Sequence, residues 1–324
     1  MDETAAARDG IVIDLPETTR ALDVTVLMGG PSSEREISLL SGAAVADALE
    51  SAGHQVTRAD ISPRDTTALD RDGLDVVFIA LHGEFGESGE VQELCEARGL
   101  RYTGSNERAS RISMDKAATK QILKRAGLKT PDWMIVEEFH PADQVAQWLE
   151  ELPPPVVLKP LDGGSSVDIT IATDLRRRDE ALEYLVDTYG RAMLERYLPG
   201  REFTVGIIGD SPLPVMEIVP DGEFYDYRAK YDDDAKTSYV FTHGLDEQTV
   251  RRMRQDAIDA HRILGCRDLS RVDFILDQDG APNVLEINTI PGFTNHSLVP
   301  KAASAAGISF EKLVDGIAAM AMER

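Results

Sequence analysis

The sequence predicts an α/β protein with a parallel sheet near its N-terminal end and antiparallel hairpins further on. Three observations carry this. A short apolar run at Val24–Met28 is followed by a helical pattern and then by a second apolar run at Val76–Leu81. Strand, helix, strand at that spacing marks a parallel sheet. Val156–Lys159 leads through Asp162-Gly163-Gly164-Ser165-Ser166 to an apolar return at Ile169–Ala172, an antiparallel hairpin with a flexible tip. A second hairpin, Arg271–Leu276 and Asn283–Asn288, turns over Gln278-Asp279-Gly280.

Composition narrows the function classes. A chain of 324 residues suits two or three domains. Its 57 acidic and 34 basic side chains leave a net charge of −23, a field that repels nucleic-acid backbones but leaves room for a local basic pocket. With 42% hydrophobic and 28% charged residues the chain is globular rather than disordered. No apolar run reaches the roughly 18 residues of a membrane span, and the acidic start, MDETAAARDG, lacks the apolar core of a secretory signal. Cys95 and Cys266 form neither a disulfide framework nor a zinc spacing and read as buried small hydrophobes, which fits a reducing cytoplasm. Lysines number only nine, so those beside Gly-rich or aromatic segments draw attention.

The elements follow in order. Residues 1–22 read as a flexible tail. Gly29-Gly30-Pro31 ends the first strand, and Ser33 or Ser38 could cap a helix running to Ala52-Gly53. Met114–Ala126 reads as a helix stopped by Gly127, and Trp133–Val136 as a strand after Pro131. A helix is expected over 178–189, strands at Met193–Tyr197 and Phe203–Ile208, and a helix over Glu247–Leu264. The Ala-rich stretch after Pro300 is helical.

Several segments carry chemistry. The glycines after Lys159 let backbone N–H groups approach phosphate oxygens, hydroxyls add donors, and the lysine supplies a point charge. The pattern is not a Walker loop, and read alone it is also a plain hairpin turn. In the second hairpin, residues two apart share a face, so pairing would gather Asp273, Glu286 and Asn288 into a hard oxygen site suited to Mg²⁺. Arg271 beside them could stabilise a developing oxyanion. Val272, Phe274, Leu285 and Ile287 between them indicate a buried opposite face. Thr289-Ile290-Pro291-Gly292-Phe293-Thr294, with His296-Ser297, is a turn that could aim a backbone N–H at a reacting oxygen. Glu34–Ser38 and His82–Gly89 lie beyond carboxyl ends of strands, where open parallel sheets bind ligands. The G-x-G-x-x-G fingerprint of dinucleotide binding is absent.

These segments occur together and in order. Over residues 23–320 the chain resembles the D-alanine–D-alanine ligases of the ATP-grasp superfamily. The carriers are GGPSSEREISLLSG (29–42), ALHGEFGESG (80–89), YTGS (102–105), SMDK (113–116), VVLKPLDGGSSV (156–167), LERYLPGREFTV (194–205), FYDYRAKY (224–231), SRVDFIL (270–276) and VLEINTIPGFTNHSLVP (284–300).

The resemblance implies an α/β, three-domain ATP-grasp fold. A parallel α/β domain (23–115) would follow the tail, then a central lobe (116–205) and a C-terminal lobe (206–324), two antiparallel-sheet α+β lobes clamping ATP. A lid loop over 224–245 would close on the intermediate. Lys116, Lys159, Gly164, Ser165 and Ser166 would contact nucleotide phosphates, Glu195, Tyr197 and Leu198 the adenine, and Glu202 the ribose. Asp273, Glu286 and Asn288 would hold two Mg²⁺ (or Mn²⁺) ions. Glu34 would hold the ammonium of the first D-alanine, with His82 nearby. Lys230 and Ser297 would bind the carboxylate of the second. Arg271 and the N–H of Gly292 would stabilise the tetrahedral oxyanion. Glu34, Ser165 and Tyr231 would link the N-terminal domain to the lid.

The implied activity is ATP-dependent joining of two D-alanines through an acyl phosphate, supplying the peptidoglycan precursor. A cytoplasmic homodimer is expected by resemblance, with neither nucleic acid nor membrane as partner. The alternatives are a relative joining D-alanine to D-lactate or D-serine, against which the Lys230-Tyr231 pair argues, and a non-catalytic nucleotide-binding protein. Four positions depart from the family pattern: Ser88, Asp168, Thr242-His243 and Ser270.

Overall fold

The computed structural model describes residues 13–161, 167–220, 237–241, 243–294 and 296–324. Three sheets organise them. The first is parallel, in the order Gln55–Asp60, Asp23–Met28, Val76–Ile79. Helix Arg35–Ser51 crosses between its first two strands and packs so closely that a Cβ on Gly42 would stand 2.4 Å from Met28 Cβ. Neither Ser33 nor Ser38 caps this helix. Glu34 occupies the cap position, and the Ser38 hydroxyl donates to Ala80 O at 2.8 Å.

On the same side of this sheet lies the C-terminal helix Phe310–Met322. It buries Leu313, Val314, Ile317 and Ala321 in one cluster with Val24, Val26, Val45 and Leu49. Burying such aliphatic side chains contributes about 1.5–3 kcal/mol each. Residues 13–22 are held against this layer, which corrects the expectation of a loose tail up to residue 22. Leu15 and Leu22 are buried, and the Thr18 hydroxyl donates to Asp315 Oδ1 at 2.7 Å. Residues 1–12 lie outside the described residues.

A four-stranded antiparallel sheet follows, in the order Trp133–Glu137, Arg191–Arg196, Val156–Lys159, Thr170–Ala172. Helix Leu175–Tyr189 covers it through Leu182 and Leu185. Helix Ala142–Glu151 packs only partly buried residues, Val145 and Leu149, against the same cluster. The helix expected from Met114 to Ala126 is present as Lys116–Arg125, and a further helix, Glu107–Met114, which is not expected from the sequence, precedes it. Asp115 separates them because its carboxylate accepts the N–H groups of Ala117 and Ala118, both at 2.9 Å, and starts Lys116–Arg125 as its cap.

The third sheet is antiparallel. Its path runs Ser238–Val240, Met216–Val219, Gly200–Ile208, Leu269–Asp277, Pro282–Asn288, with Ser211–Pro212 paired to the central strand. Helix Glu247–Leu264 lies on it, as the sequence indicates. Asp246 caps its start, Gly265 ends it at φ +77°, and Val250, Met253, Ala257, Ala260 and Leu264 form its buried stripe. The Ala-rich end is also two helices, Leu298–Ala305 and Phe310–Met322. No helix among the described residues is long and apolar enough to cross a membrane.

One buried group makes this third layer acid-sensitive. His261 is buried with its Nδ1 2.7 Å from Ser270 Oγ, and that burial lowers its pKa to about 4. The folded state therefore resists a proton that the unfolded chain accepts at an ordinary pKa of 6.5. Stability is unaffected above pH 6.5 and falls as pH drops toward 4, by at most about 3 kcal/mol from this group. Urea midpoints at pH 7 and pH 4.5 should therefore converge in His261→Gln relative to the parent protein.

Candidate active site

The hairpin Leu269–Asp277 and Pro282–Asn288 is built as its sequence indicates. Asp273 stands opposite Glu286, and Arg271 opposite Asn288. A register shift after Asp273 pairs Phe274 with Val284. This β-bulge lets Leu285 and Glu286 both face the cleft while Val284 and Ile287 enter the core. Leu285 thus departs from the simple alternation expected of it. The Asp273 carboxylate is engaged on two sides. Arg271 donates to Oδ1 at 2.9 Å and to Oδ2 at 2.8 Å, and the buried Thr204 hydroxyl donates to Oδ1 at 2.7 Å from the neighbouring strand.

This hairpin divides two cavities. One, about 280 Å³, is lined by Glu34, His82, Lys116, Arg271, Gly292 and Ser297 among others. The other, about 160 Å³, lies between the two antiparallel sheets and is lined by Lys159, Glu195, Tyr197, Leu198, Glu202 and Asp273 among others. Glu286 lines both, and Lys116 Nζ stands 4.0 Å from its Oε2. Every described candidate site residue except Glu286 lines one of these two cavities alone, Asn288 the first, and Glu286 forms the shared wall. Gly164, Ser165, Ser166, Lys230 and Tyr231, with most of the 224–245 loop, lie outside the described residues.

The deep end of the second cavity holds a buried charge cluster. Lys159 Nζ donates to Glu195 Oε2 at 2.8 Å, and Lys120 Nζ pairs with Oε1 from below. Burial opposes the Glu195 charge, yet the two ammonium groups outweigh it and hold the carboxyl below its usual range. Burial likewise opposes the charge of Lys159, and Glu195 and Glu286 outweigh it, holding the ammonium above its usual range. For Lys120 burial wins over the pull of Glu195 and lowers the pKa to about 8.

In the first cavity His82 is fixed on both ring nitrogens. Nε2 is 3.0 Å from Ser41 Oγ, and Nδ1 is 3.5 Å from Glu87 Oε1. Ser41 also accepts the N–H of Phe293 at 3.3 Å, which ties the histidine to the Pro291-Gly292 turn. Within that turn Ser297 Oγ accepts the N–H of Thr294 at 3.0 Å, and a Cβ on Gly292 would meet Ser297 Oγ at 3.2 Å.

Sequence reasoning overlooked Lys120, Thr204, Ser41 and Glu87. Lys120 carried a signal: four residues beyond Lys116 on a helix, it falls on the same face. Thr204 and Ser41 carried none, because a hydroxyl's partner is set by the tertiary fold. Asp168, one of the departures, adopts φ +54° and accepts the hydroxyls of Tyr184 and Tyr189.

Comparison with known proteins agrees with this architecture. The family model described as D-ala D-ala ligase C-terminus matches residues 122–319, and that of the N-terminus matches 62–105. A D-alanine–D-alanine ligase of Gloeobacter violaceus is 42% identical over 295 residues, covering 91% of this chain and 97% of the relative. The crystal structure of a Bacillus anthracis D-alanine–D-alanine ligase complexed with ATP superposes with a TM-score of 0.81 at 32% identity, over 94% of this chain and 98% of that one. The VanG D-Ala:D-Ser ligase of Enterococcus faecalis gives a TM-score of 0.82 at 25% identity, over 93% and 100%. With an α/β fold of the ATP-grasp type, one parallel sheet and two antiparallel ones, the chain belongs to the D-alanine–D-alanine ligase family.

Proposed function

We propose that this protein joins two D-alanines to D-alanyl-D-alanine at the expense of ATP, for the peptidoglycan precursor. The observation that carries the reading is the shared wall. One acidic hairpin faces, on one side, a cleft between the antiparallel sheets in which Lys159 and Arg196 stand among apolar walls and carboxylates, and on the other a pocket lined by Glu34, Glu87, Lys116 and Arg271. A phosphoryl donor and its acceptor would meet across Asp273 and Glu286.

In this reading ATP lies between the two antiparallel sheets. Glu195, Tyr197 and Leu198 hold the adenine and Glu202 the ribose, while Lys159 and Lys116 take the phosphates with Gly164, Ser165 and Ser166. The donor set of Asp273, Glu286 and Asn288, two carboxylates and an amide oxygen on paired strands, fits hard divalent ions. Arg271 pairs with Asp273 at 2.8 Å, so this carboxylate is placed beside positive charge, which supports the reading. Bound Mg²⁺ or Mn²⁺ would neutralise charge on the transferring phosphoryl group.

Glu34 holds the ammonium of the first D-alanine by a charge-assisted hydrogen bond, beside His82. The carboxylate of that D-alanine attacks the γ-phosphate, giving a D-alanyl acyl phosphate and ADP. The second D-alanine, held at its carboxylate by Ser297 and Lys230, attacks the acyl carbon through its amine, and phosphate leaves. Arg271 and the N–H of Gly292 stabilise the oxyanion between. Glu34, Ser165 and Tyr231 tie the closing loop to the N-terminal domain and exclude water from the acyl phosphate.

The test is product analysis by mass. The purified protein receives ATP and Mg²⁺ with D-alanine alone, then with added D-serine or D-lactate. D-alanyl-D-alanine should dominate every mixture. A dominant mixed product would move the enzyme to the other acceptor, and ATP binding without any product would overturn the ligase reading.

A further inference from the structure

Lys120 has no solvent exposure, a rare state for a lysine. It sits on helix Lys116–Arg125, outside both cavities. Its ammonium donates to Thr130 Oγ1 at 2.5 Å and to Pro131 O at 3.2 Å, and pairs with Glu195. The Trp133 ring lies 5.4 Å away. These contacts pin the charge at one point beneath Glu195. Lys159, the other partner of Glu195, lines the nucleotide cleft itself.

The two lysines therefore differ in kind. Lys159 faces the cleft and, on the proposed reading, turns toward a phosphate when ATP binds. Glu195 would then be a buried carboxylate with one counter-ion, and an unpaired buried carboxylate takes up a proton. An ionised carboxylate only accepts hydrogen bonds, whereas a protonated one also donates. An acceptor-only Glu195 suits a base edge carrying an exocyclic amino group and opposes one carrying a keto oxygen. Oε1 is closed to solvent against Lys120, so the oxygen that a base meets once Lys159 turns to a phosphate is Oε2.

We infer that Lys120 is a positioning residue that keeps Glu195 ionised and so makes the cleft select an amino-bearing purine over a keto-bearing one. It touches no substrate and acts only through Glu195. The inference rests on the proposed placement of the adenine at Glu195.

The experiment compares ATP with ITP, which replaces the amino group by a keto oxygen, in steady-state kinetics of the full chain. In Lys120→Met the kcat/KM ratio of ATP to ITP should fall at least tenfold. The change should lie in KM, with kcat at saturating ATP altered less than threefold. Lys120→Arg, which keeps the charge, should restore most of the ratio. Should Lys120→Met fail to fold, Thr130→Val, which removes one ammonium partner, should lower the ratio in the same direction by a smaller factor. A folded Lys120→Met with the parent ratio would overturn the inference, as would a loss in kcat alone. A parent protein that does not discriminate ATP from ITP would instead overturn the placement of the base at Glu195.

Discussion

Replacing Arg271 with alanine is expected to lower kcat by about 10²–10³-fold, the loss that follows removal of one donor to a developing oxyanion. The guanidinium lines the cavity opposite the nucleotide cleft, two residue pairs along the hairpin from the shared wall. It is aimed by its own bidentate bond to Asp273 and needs little reorganisation to reach a ligand. Arg271→Lys should recover only a small part of the rate, since an ammonium cannot span both carboxylate oxygens. The nucleotide KM should change less than the turnover, because Arg271 does not line the nucleotide cleft. Rapid-quench measurement of a single turnover would place the loss in the chemical step. An unchanged single-turnover rate would remove Arg271 from the mechanism.

The second large effect concerns stability. Glu195→Leu should destabilise the fold by about 3–5 kcal/mol, because it leaves two positive charges without the carboxylate between them. Lys120 is wholly buried and Lys159 nearly so. A double substitution, Glu195→Leu with Lys120→Met, should recover much of that loss, since an apolar pair of similar volume dispenses with the desolvation cost. Urea denaturation of the two variants tests this directly. Equal stabilities would mean that Lys120 finds sufficient partners in Thr130 and Pro131 alone.

Much of this architecture is legible where one face of an element is buried and its pattern unbroken. The helix Glu247–Leu264 and the strand Val156–Lys159 match their expected bounds, the helix through its buried apolar stripe and the strand through an unbroken apolar run that begins after three prolines. The acidic hairpin shows its register through Val272, Phe274 and Ile287. What escapes the sequence is what tertiary contacts alone decide. Gln55–Asp60 buries only Ala59 and pairs along one edge, so it carries no alternation to read. Helix Ala142–Glu151 fully buries no residue. Helix Glu107–Met114 is not read from the sequence: of its eight residues only Ala109, Ser110 and Ser113 are buried, so it offers no apolar stripe.

The functional residues divide in the same way. Charged groups at strand ends and in Gly-rich turns stand out, because their chemistry is unusual for their position. Hydroxyls that orient them, Thr204 on Asp273 and Ser41 on His82, look like any other strand or helix residue.

The single carboxylate common to both cavities has a thermodynamic consequence. A ligand that redistributes charge around Glu286 from one side alters the field met by a ligand on the other. Such coupling is symmetric at equilibrium: whatever factor the nucleotide applies to amino-acid affinity, the amino acid must return to the nucleotide. Titrating each ligand by calorimetry, with and without a saturating level of the other, closes the cycle. The two substrates then share one interaction free energy, located on a wall one hairpin thick.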